Sequence, residues 1–342
     1  VSRIVGGISM SHAPGIVGWP EKVEENQLAR ISTAVDRIAG YLEDVRPDVV
    51  VAFLDDHFEN IFRSMAPTFA IPVAESHQGP ADYFVKVLRM DAPVEIPGAP
   101  EFAGQLLRQT VHAGFDVTRM GRIDYGNNLM AVWNLIRPQN DLPVVPIFVN
   151  VYHPPLPTMD RAYEFGAAVR RAIESMPGGE RVLILSTGGL SHWPPIWLEH
   201  IQDWPEVMQP YLERIKRYQF EGRSVLKDDP KLFHDMGVYE RLMADVMDKP
   251  VVAPEWDRHF LDLIAAGDAG AVRALTYGEI ESNAGFGAHE VLNWAAGMGA
   301  MDGAPATVLN YEPVPEWICG MGFAIYDTPS TDGRTTSRRK EA

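Results

Sequence analysis

The chain has a single cysteine, Cys319, in 342 residues. That excludes an internal disulfide framework and any multi-cysteine zinc knuckle. It has no apolar run near the roughly 18 residues that a membrane-spanning helix needs. It is also poor in positive charge: 30 Lys and Arg stand against 46 Asp and Glu, for a formal charge of −16. Nucleic acid and anionic membrane surfaces are both bound through a cationic footprint, so neither is an expected partner. No internal repeat or low-complexity tract interrupts the body of the chain. Residues 1–5 read as a strand and not as a signal peptide. These absences leave an acidic, globular, cytoplasmic protein of small-molecule chemistry as the expectation, long enough to bury a large core without staples.

What is present is an alternation of two patterns. Four short runs rich in Val and Ile read as buried strands: residues 3–9, 48–54, 143–151 and 181–186. Their apolar character is continuous, which suits a sheet covered on both faces. Between them, residues 24–42 place Leu28, Ile31, Val35, Ile38 and Leu42 at helical spacing, and residues 100–113 and 161–175 repeat the pattern. The expected fold is α/β: a mixed, mostly buried central sheet with helices on both faces. After Ser191 the sequence turns Pro- and Trp-rich, then charged and helical. Residues 193–256 read as a helical insertion, either a plain surface elaboration or a lid. Residues 257–266 and 289–298 read as amphipathic helices. Residues 328–342 carry Arg334, Arg338, Arg339 and Lys340 against two acids and read as a disordered basic tail. The expected organisation is one domain over residues 1–327, followed by that tail.

Candidate chemistry concentrates at strand ends. Of ten histidines, His12 follows the first strand, His57 the second and His192 the fourth. Ligands of open α/β sheets collect at the carboxyl ends of strands, so three imidazoles in that position point to a site. His77, His112, His153, His200, His234 and His259 share no such position. Neutral imidazole is a common ligand for zinc, copper and iron. Two His with one carboxylate make the non-haem Fe(II) arrangement, with open positions for substrate and dioxygen. Three His on one metal would instead suggest a zinc-bound hydroxide and a zinc-dependent hydrolase. A carboxylate therefore decides, and the candidate is Glu290. It opens an otherwise apolar helical face (Val291, Leu292, Trp294, Ala295, Met298) after a Gly-rich turn. Such a Glu is either a buried ligand or a first-turn acid favoured by the helix dipole. His289 is adjacent and points elsewhere, because neighbours on a helix do not share a face.

Several stretches carry a family pattern: Gly6-Gly7-Ile8-Ser9-Met10-Ser11-His12-Ala13-Pro14; Asp55-Asp56-His57 with Phe62 beyond; Thr187-Gly188-Gly189-Leu190-Ser191-His192; and Glu290-Val291-Leu292-Asn293-Trp294 followed by Gly297-Met298-Gly299. Over most of residues 3–326 the chain resembles the class III extradiol ring-cleavage dioxygenases. Their type member is the catalytic β-subunit of protocatechuate 4,5-dioxygenase, with gallate and methylgallate dioxygenases as relatives. The resemblance implies Fe(II) held by His12, His57 and Glu290, with His192 unliganded as acid–base. It implies extradiol (meta) cleavage of a catechol-type ring with O2, giving a ring-opened semialdehyde, in aromatic compound catabolism. One position departs from the pattern. Tyr125, in Ile123-Asp124-Tyr125-Gly126-Asn127, stands where the family carries a second active-site histidine. A phenol donates a hydrogen bond but stays protonated near neutrality, so Tyr125 is expected either to orient substrate or a bound oxygen species or to pack under the loop. Asp56, Asn127, Gly189 and Trp193 are the expected substrate contacts, Phe58 and Trp197 candidate aromatic walls, and Arg63, Lys86 or Arg122 candidate partners for a substrate carboxylate. A homo-oligomer is expected. Some relatives close the site with a small helical partner subunit, a role the insertion is a candidate to fill.

Overall fold

The computed structural model describes residues 1–192, 206–235 and 252–327. The tail expected over residues 328–342 lies outside them, as do Trp193 and Trp197. An eight-stranded sheet organises the chain. Its strands are β1 (Arg3–Met10), β2 (Val49–Leu54), β3 (Phe69–Pro72), β6 (Val117–Met120), β7 (Val144–Val149), β8 (Arg181–Thr187), β9 (Thr307–Val314) and β10 (Cys319–Tyr326). β4 (Ser76–Gly79) and β5 (Val94–Pro97) form a separate hairpin. The order across the large sheet is β6-β3-β7-β2-β8-β1-β10-β9. The adjacent strands β7, β2, β8 and β1 run parallel, and they are the four runs read from the sequence. Antiparallel pairing begins outside them, where β3 meets β7 and β10 meets β1.

Both faces of the sheet are covered, as the unbroken apolar strands require. Along β2, Val49, Val51 and Phe53 enter one hydrophobic core, while Val50, Ala52 and Leu54 enter the other. That is the two-residue alternation of a strand buried on both sides. The Glu25–Val45 helix covers the second core with Ile31, Val35, Ile38 and Leu42. The Met159–Ser175 helix, whose Thr158 side chain caps Arg161 N, covers the first. The Asn127–Ile136 helix had no sequence signal, because its buried residues surround it and leave no stripe. Among the described residues, no helix is long and apolar enough to cross a membrane.

One helix matters most for the site. All ten residues of Val291–Ala300 are buried. The helix lies so close to Met159–Ser175 that a Cβ on Gly166 would fall 1.8 Å from the Ala296 carbonyl oxygen. Only glycine permits that approach, which fixes the depth of the Glu290 end. The described part of the insertion, residues 206–235, is held against the same end of the sheet. Tyr218 on the Leu212–Glu221 helix donates to the Phe58 carbonyl at 2.7 Å. Arg63 Nε donates to Gln219 Oε1 at 2.7 Å, and Arg223 pairs with Asp124. The insertion therefore grips the loop that follows His57 and the turn that precedes Tyr125.

Candidate metal centre

Each of the four parallel strands delivers a side chain to one place at its carboxyl end. His12 comes from β1, Asp55 and His57 from β2, Tyr152 from β7, and His192 from β8. Glu290 enters from the opposite direction, as the last residue of a short helical turn at Phe286–Glu290 and the residue before Val291–Ala300. Beyond Leu54, where the strand ends, Asp55 and His57 turn to the same place while Asp56 turns to Asn60 and Ile61.

The donor atoms converge closely. Glu290 Oε2 lies 3.2 Å from His12 Nε2, and Glu290 Oε1 lies 3.2 Å from His57 Nε2. Asp55 Oδ2 is 3.3 Å from His57 Nε2, and Asp55 Oδ1 is 4.0 Å from His12 Nε2. One donor atom from each of His12, Asp55, His57 and Glu290 falls within 4.8 Å of all the others. His12, Asp55 and Glu290 are almost wholly buried. Bonds of about 2.1 Å put neighbouring donors of an octahedral centre about 3.0 Å apart, and the separations of 3.2–3.3 Å are close to that. Mixed imidazole and carboxylate donors suit a divalent transition metal. The residues thus fit a metal ion.

Two further contacts fix Glu290. The Gly189 N–H donates to Oε2, and the Tyr152 hydroxyl donates to Oε1. Tyr152 also lies 3.2 Å from His57 Nε2, with ring centroids 5.1 Å apart. Such partners orient a ligand and tune its basicity. Burial works against ionisation of Glu290, but the charges and hydrogen bonds of His12 and His57 win and hold its pKa at about 2. Burial, then repulsion from Glu290, pushes Asp55 up to about 6. Burial also opposes protonation of His57, yet Asp55 and Glu290 draw its pKa up to about 10.

His192 stands beside this group and not within it. Its Nε2 lies 3.5 Å from Glu290 Oε1. Its Nδ1 is 2.9 Å from the Leu190 carbonyl, which can only accept, so Nδ1 carries the hydrogen and Nε2 keeps a lone pair. Burial, and then the positive charge of His12 and His57, depresses its pKa to about 3, so it is neutral. The loop beneath it is anchored by Asp257, which accepts from Ser191 N and Ser191 Oγ at 2.7 Å each and from Tyr311 at 2.6 Å. A Cβ on Gly287 would fall 2.1 Å from His192 Cδ2. Gly287→Ala is therefore expected to displace the ring and lower kcat about 100-fold at unchanged metal content. Steady-state rates set against metal analysis check this.

The other expected site residues divide. Asp56 is spent on its own loop, accepting from Asn60 N, Asn60 Nδ2 and Ile61 N. Asn127 donates to the His12 carbonyl at 3.5 Å and so backs the ligand loop. Tyr125 is fully buried and packs edge-on against His77, with ring centroids 5.6 Å apart; its hydroxyl has no hydrogen-bond partner among the described residues. Arg122 pairs with Glu95 at 2.8 Å near the surface. His289 does point elsewhere, stacking on Tyr277. Sequence reasoning missed Asp55, Tyr152 and Asn293, which donates to Asp55 Oδ1 and to the Thr187 carbonyl. For Asp55 a signal existed, its two-residue spacing from His57; for Tyr152 there was none.

Comparison with known proteins agrees with this geometry. The sequence model described as "Catalytic LigB subunit of aromatic ring-opening dioxygenase" matches residues 6–322. A 2,3-dihydroxyphenylpropionate/2,3-dihydroxicinnamic acid 1,2-dioxygenase of a Rhodococcus species is 30% identical over 322 residues, covering 92% of this chain and 96% of the relative. A Pseudomonas putida enzyme of the same name is 31% identical over 318 residues, covering 92% and 95%. The corresponding Cupriavidus necator enzyme is 29% identical over 313 residues, covering 90% of each. A cluster of potential metal donors at the ends of parallel strands, a further histidine beside it and this likeness along nearly the whole length have one explanation: the chain belongs to the LigB family of class III extradiol dioxygenases, metal-dependent enzymes that open aromatic rings with O2.

Proposed function

We infer that the metal is Fe(II), held by His12, His57 and Glu290, and that the substrate is a catechol bearing a short acidic side chain, as in the compound that names the relatives. The observation that carries this reading is the separation of roles among three strand-end histidines: two face Glu290 at 3.2 Å, while the third keeps a free Nε2 lone pair beside them. A zinc site built on three histidines would place His192 with His12 and His57, whereas the converging donors are those of His12, Asp55, His57 and Glu290.

Bound Fe(II) would supply chelation that acidifies the catechol hydroxyls and open positions that bring the diol and dioxygen together. The protein's own work is proton handling and positioning. Neutral His192 takes a proton from a catechol hydroxyl at Nε2, and as imidazolium it then stabilises negative charge building on oxygen and returns the proton. Tyr152 and Gly189 hold Glu290 in one orientation. Tyr125 is proposed to orient substrate through its buried hydroxyl, unpartnered among the described residues, Gly189 and Trp193 to contact the ring, and Asp56 and Asn127 to act through the loops they brace. Arg63, on the loop after His57 and 5.7 Å from the Phe58 ring centroid, is the favoured partner for the side-chain carboxylate. Residues 1–327 act as one catalytic unit, with the insertion doing the covering work of a separate small helical subunit. The enzyme works in the cytoplasm as a homo-oligomer, consistent with its lone cysteine and with the prevalence of symmetric assemblies.

The test is anaerobic loading with Fe(II), then admission of air with a panel of catechols. The expected result is a yellow ring-opened product, one O2 consumed per ring, and 2,3-dihydroxyphenylpropionate among the best substrates. Cleavage between the hydroxyls, or turnover with zinc and not with iron, would overturn the reading.

A further inference from the structure

Asp55 belongs to the converging donor group, yet the assignment of His12, His57 and Glu290 as the ligands leaves it without a role. Its carboxylate is fully buried, and Oδ2 has no hydrogen-bond partner among the described residues. Its nearest charged neighbours are the Nε2 atoms of His57 and His12, at 3.3 and 4.0 Å. Those two nitrogens cannot serve it once they give their lone pairs to a metal, because a ligating imidazole has no proton on the ligating atom. An ionised carboxylate this deep needs a cation. The remaining oxygen is already tied: Asn293 donates to Oδ1 at 2.9 Å, from one helical turn beyond Glu290. One oxygen anchored and one bare, at the separation from His57 that Glu290 also keeps, is the disposition of a ligand.

Resting on the assignment of His12, His57 and Glu290 as ligands, we propose that Asp55 is a fourth ligand of the substrate-free centre and that the chelating diol displaces it. Six positions are available to an octahedral ion. Four protein donors leave two, and a diol taking both would leave none for dioxygen. Release of Asp55 Oδ2, with Oδ1 still tethered by Asn293, frees one position only after the ring has bound.

Asp55→Asn keeps the acceptor for Asn293 and replaces the anionic donor with an amide. Fe(II) affinity and the affinity of the loaded protein for 4-nitrocatechol are measured without oxygen. The expected result is Fe(II) binding weakened about 100-fold in the substrate-free variant and nearly unchanged when the catechol is present. By linkage, catechol binding to the loaded variant then tightens by a similar factor. Unchanged Fe(II) affinity means that Asp55 is not a ligand and overturns the proposal. Weakening by the same factor with and without catechol means a permanent ligand and overturns the displacement. Should the variant fail to fold, infrared spectra of the parent labelled with 13C-aspartate decide. A carboxylate band must shift on Fe(II) loading and return on adding catechol; a band that stays put overturns the proposal. Failure of the parent to bind Fe(II) would overturn the ligand assignment as well, whereas normal iron binding and ring cleavage with an inert Asp55 would overturn this inference alone.

Discussion

His192→Ala is expected to bind Fe(II) and catechol as the parent does and to lose about 10²–10⁴-fold in kcat, the range supplied by a positioned general acid–base. The geometry separates the two effects. The His192 ring is outside the ligand group, and its Nδ1–H is committed to the Leu190 carbonyl, so removing it takes no donor from the metal. What is lost is the Nε2 lone pair, kept neutral by burial and by the charge of His12 and His57. The loss should therefore fall on kcat with KM little changed. Anaerobic titration with catechol shows whether binding survives, and steady-state turnover shows what is gone. Activity within twofold of the parent would remove His192 from the mechanism.

Glu290→Gln is expected to abolish activity by a different route, through loss of the metal. Glu290 is the carboxylate that His12 and His57 both face, and Tyr152 and Gly189 hold it in place. An amide in its place removes the negative charge and presents an N–H to the ion. The consequence reaches stability. A ligand that binds only the folded state, at about 100 times its dissociation constant, adds about 2.7 kcal/mol. The parent should therefore gain several degrees in Tm on anaerobic addition of Fe(II), and Glu290→Gln should gain nothing. Thermal denaturation with and without the metal reads this directly. An equal gain in both proteins would place the ion elsewhere.

Much of this arrangement could be read from the sequence, and what could not has physical reasons. The parallel strands β7, β2, β8 and β1 stand out because both faces of each are buried and every residue must be apolar. The outer strands carry weaker signals: β6 has two exposed polar residues among its four, and β10 begins with two glycines in its first four. His12, His57 and His192 were legible because each follows a strand that was itself legible. Glu290 was not decidable from its surroundings, since a helix start favours an acid with or without a metal; in the fold its carboxylate faces His12 and His57 and makes no capping hydrogen bond. Asp55 and Asp56 are neighbours in one motif, and only the folded chain turns Asp55 to the histidines and Asp56 to Asn60 and Ile61. Tyr152 follows β7 without any pattern that marks it, and only the folded chain brings its hydroxyl to Glu290.

The most direct test is a crystal structure of the Fe(II)-loaded protein with a catechol bound in the absence of oxygen, with diffraction recorded on both sides of the iron edge. The account predicts one anomalous peak within bonding distance of His12 Nε2, His57 Nε2 and a Glu290 oxygen, both catechol oxygens on the same ion, and His192 beside the diol without touching the metal. A peak bonded to His192, or one that persists only at the zinc edge, would contradict it.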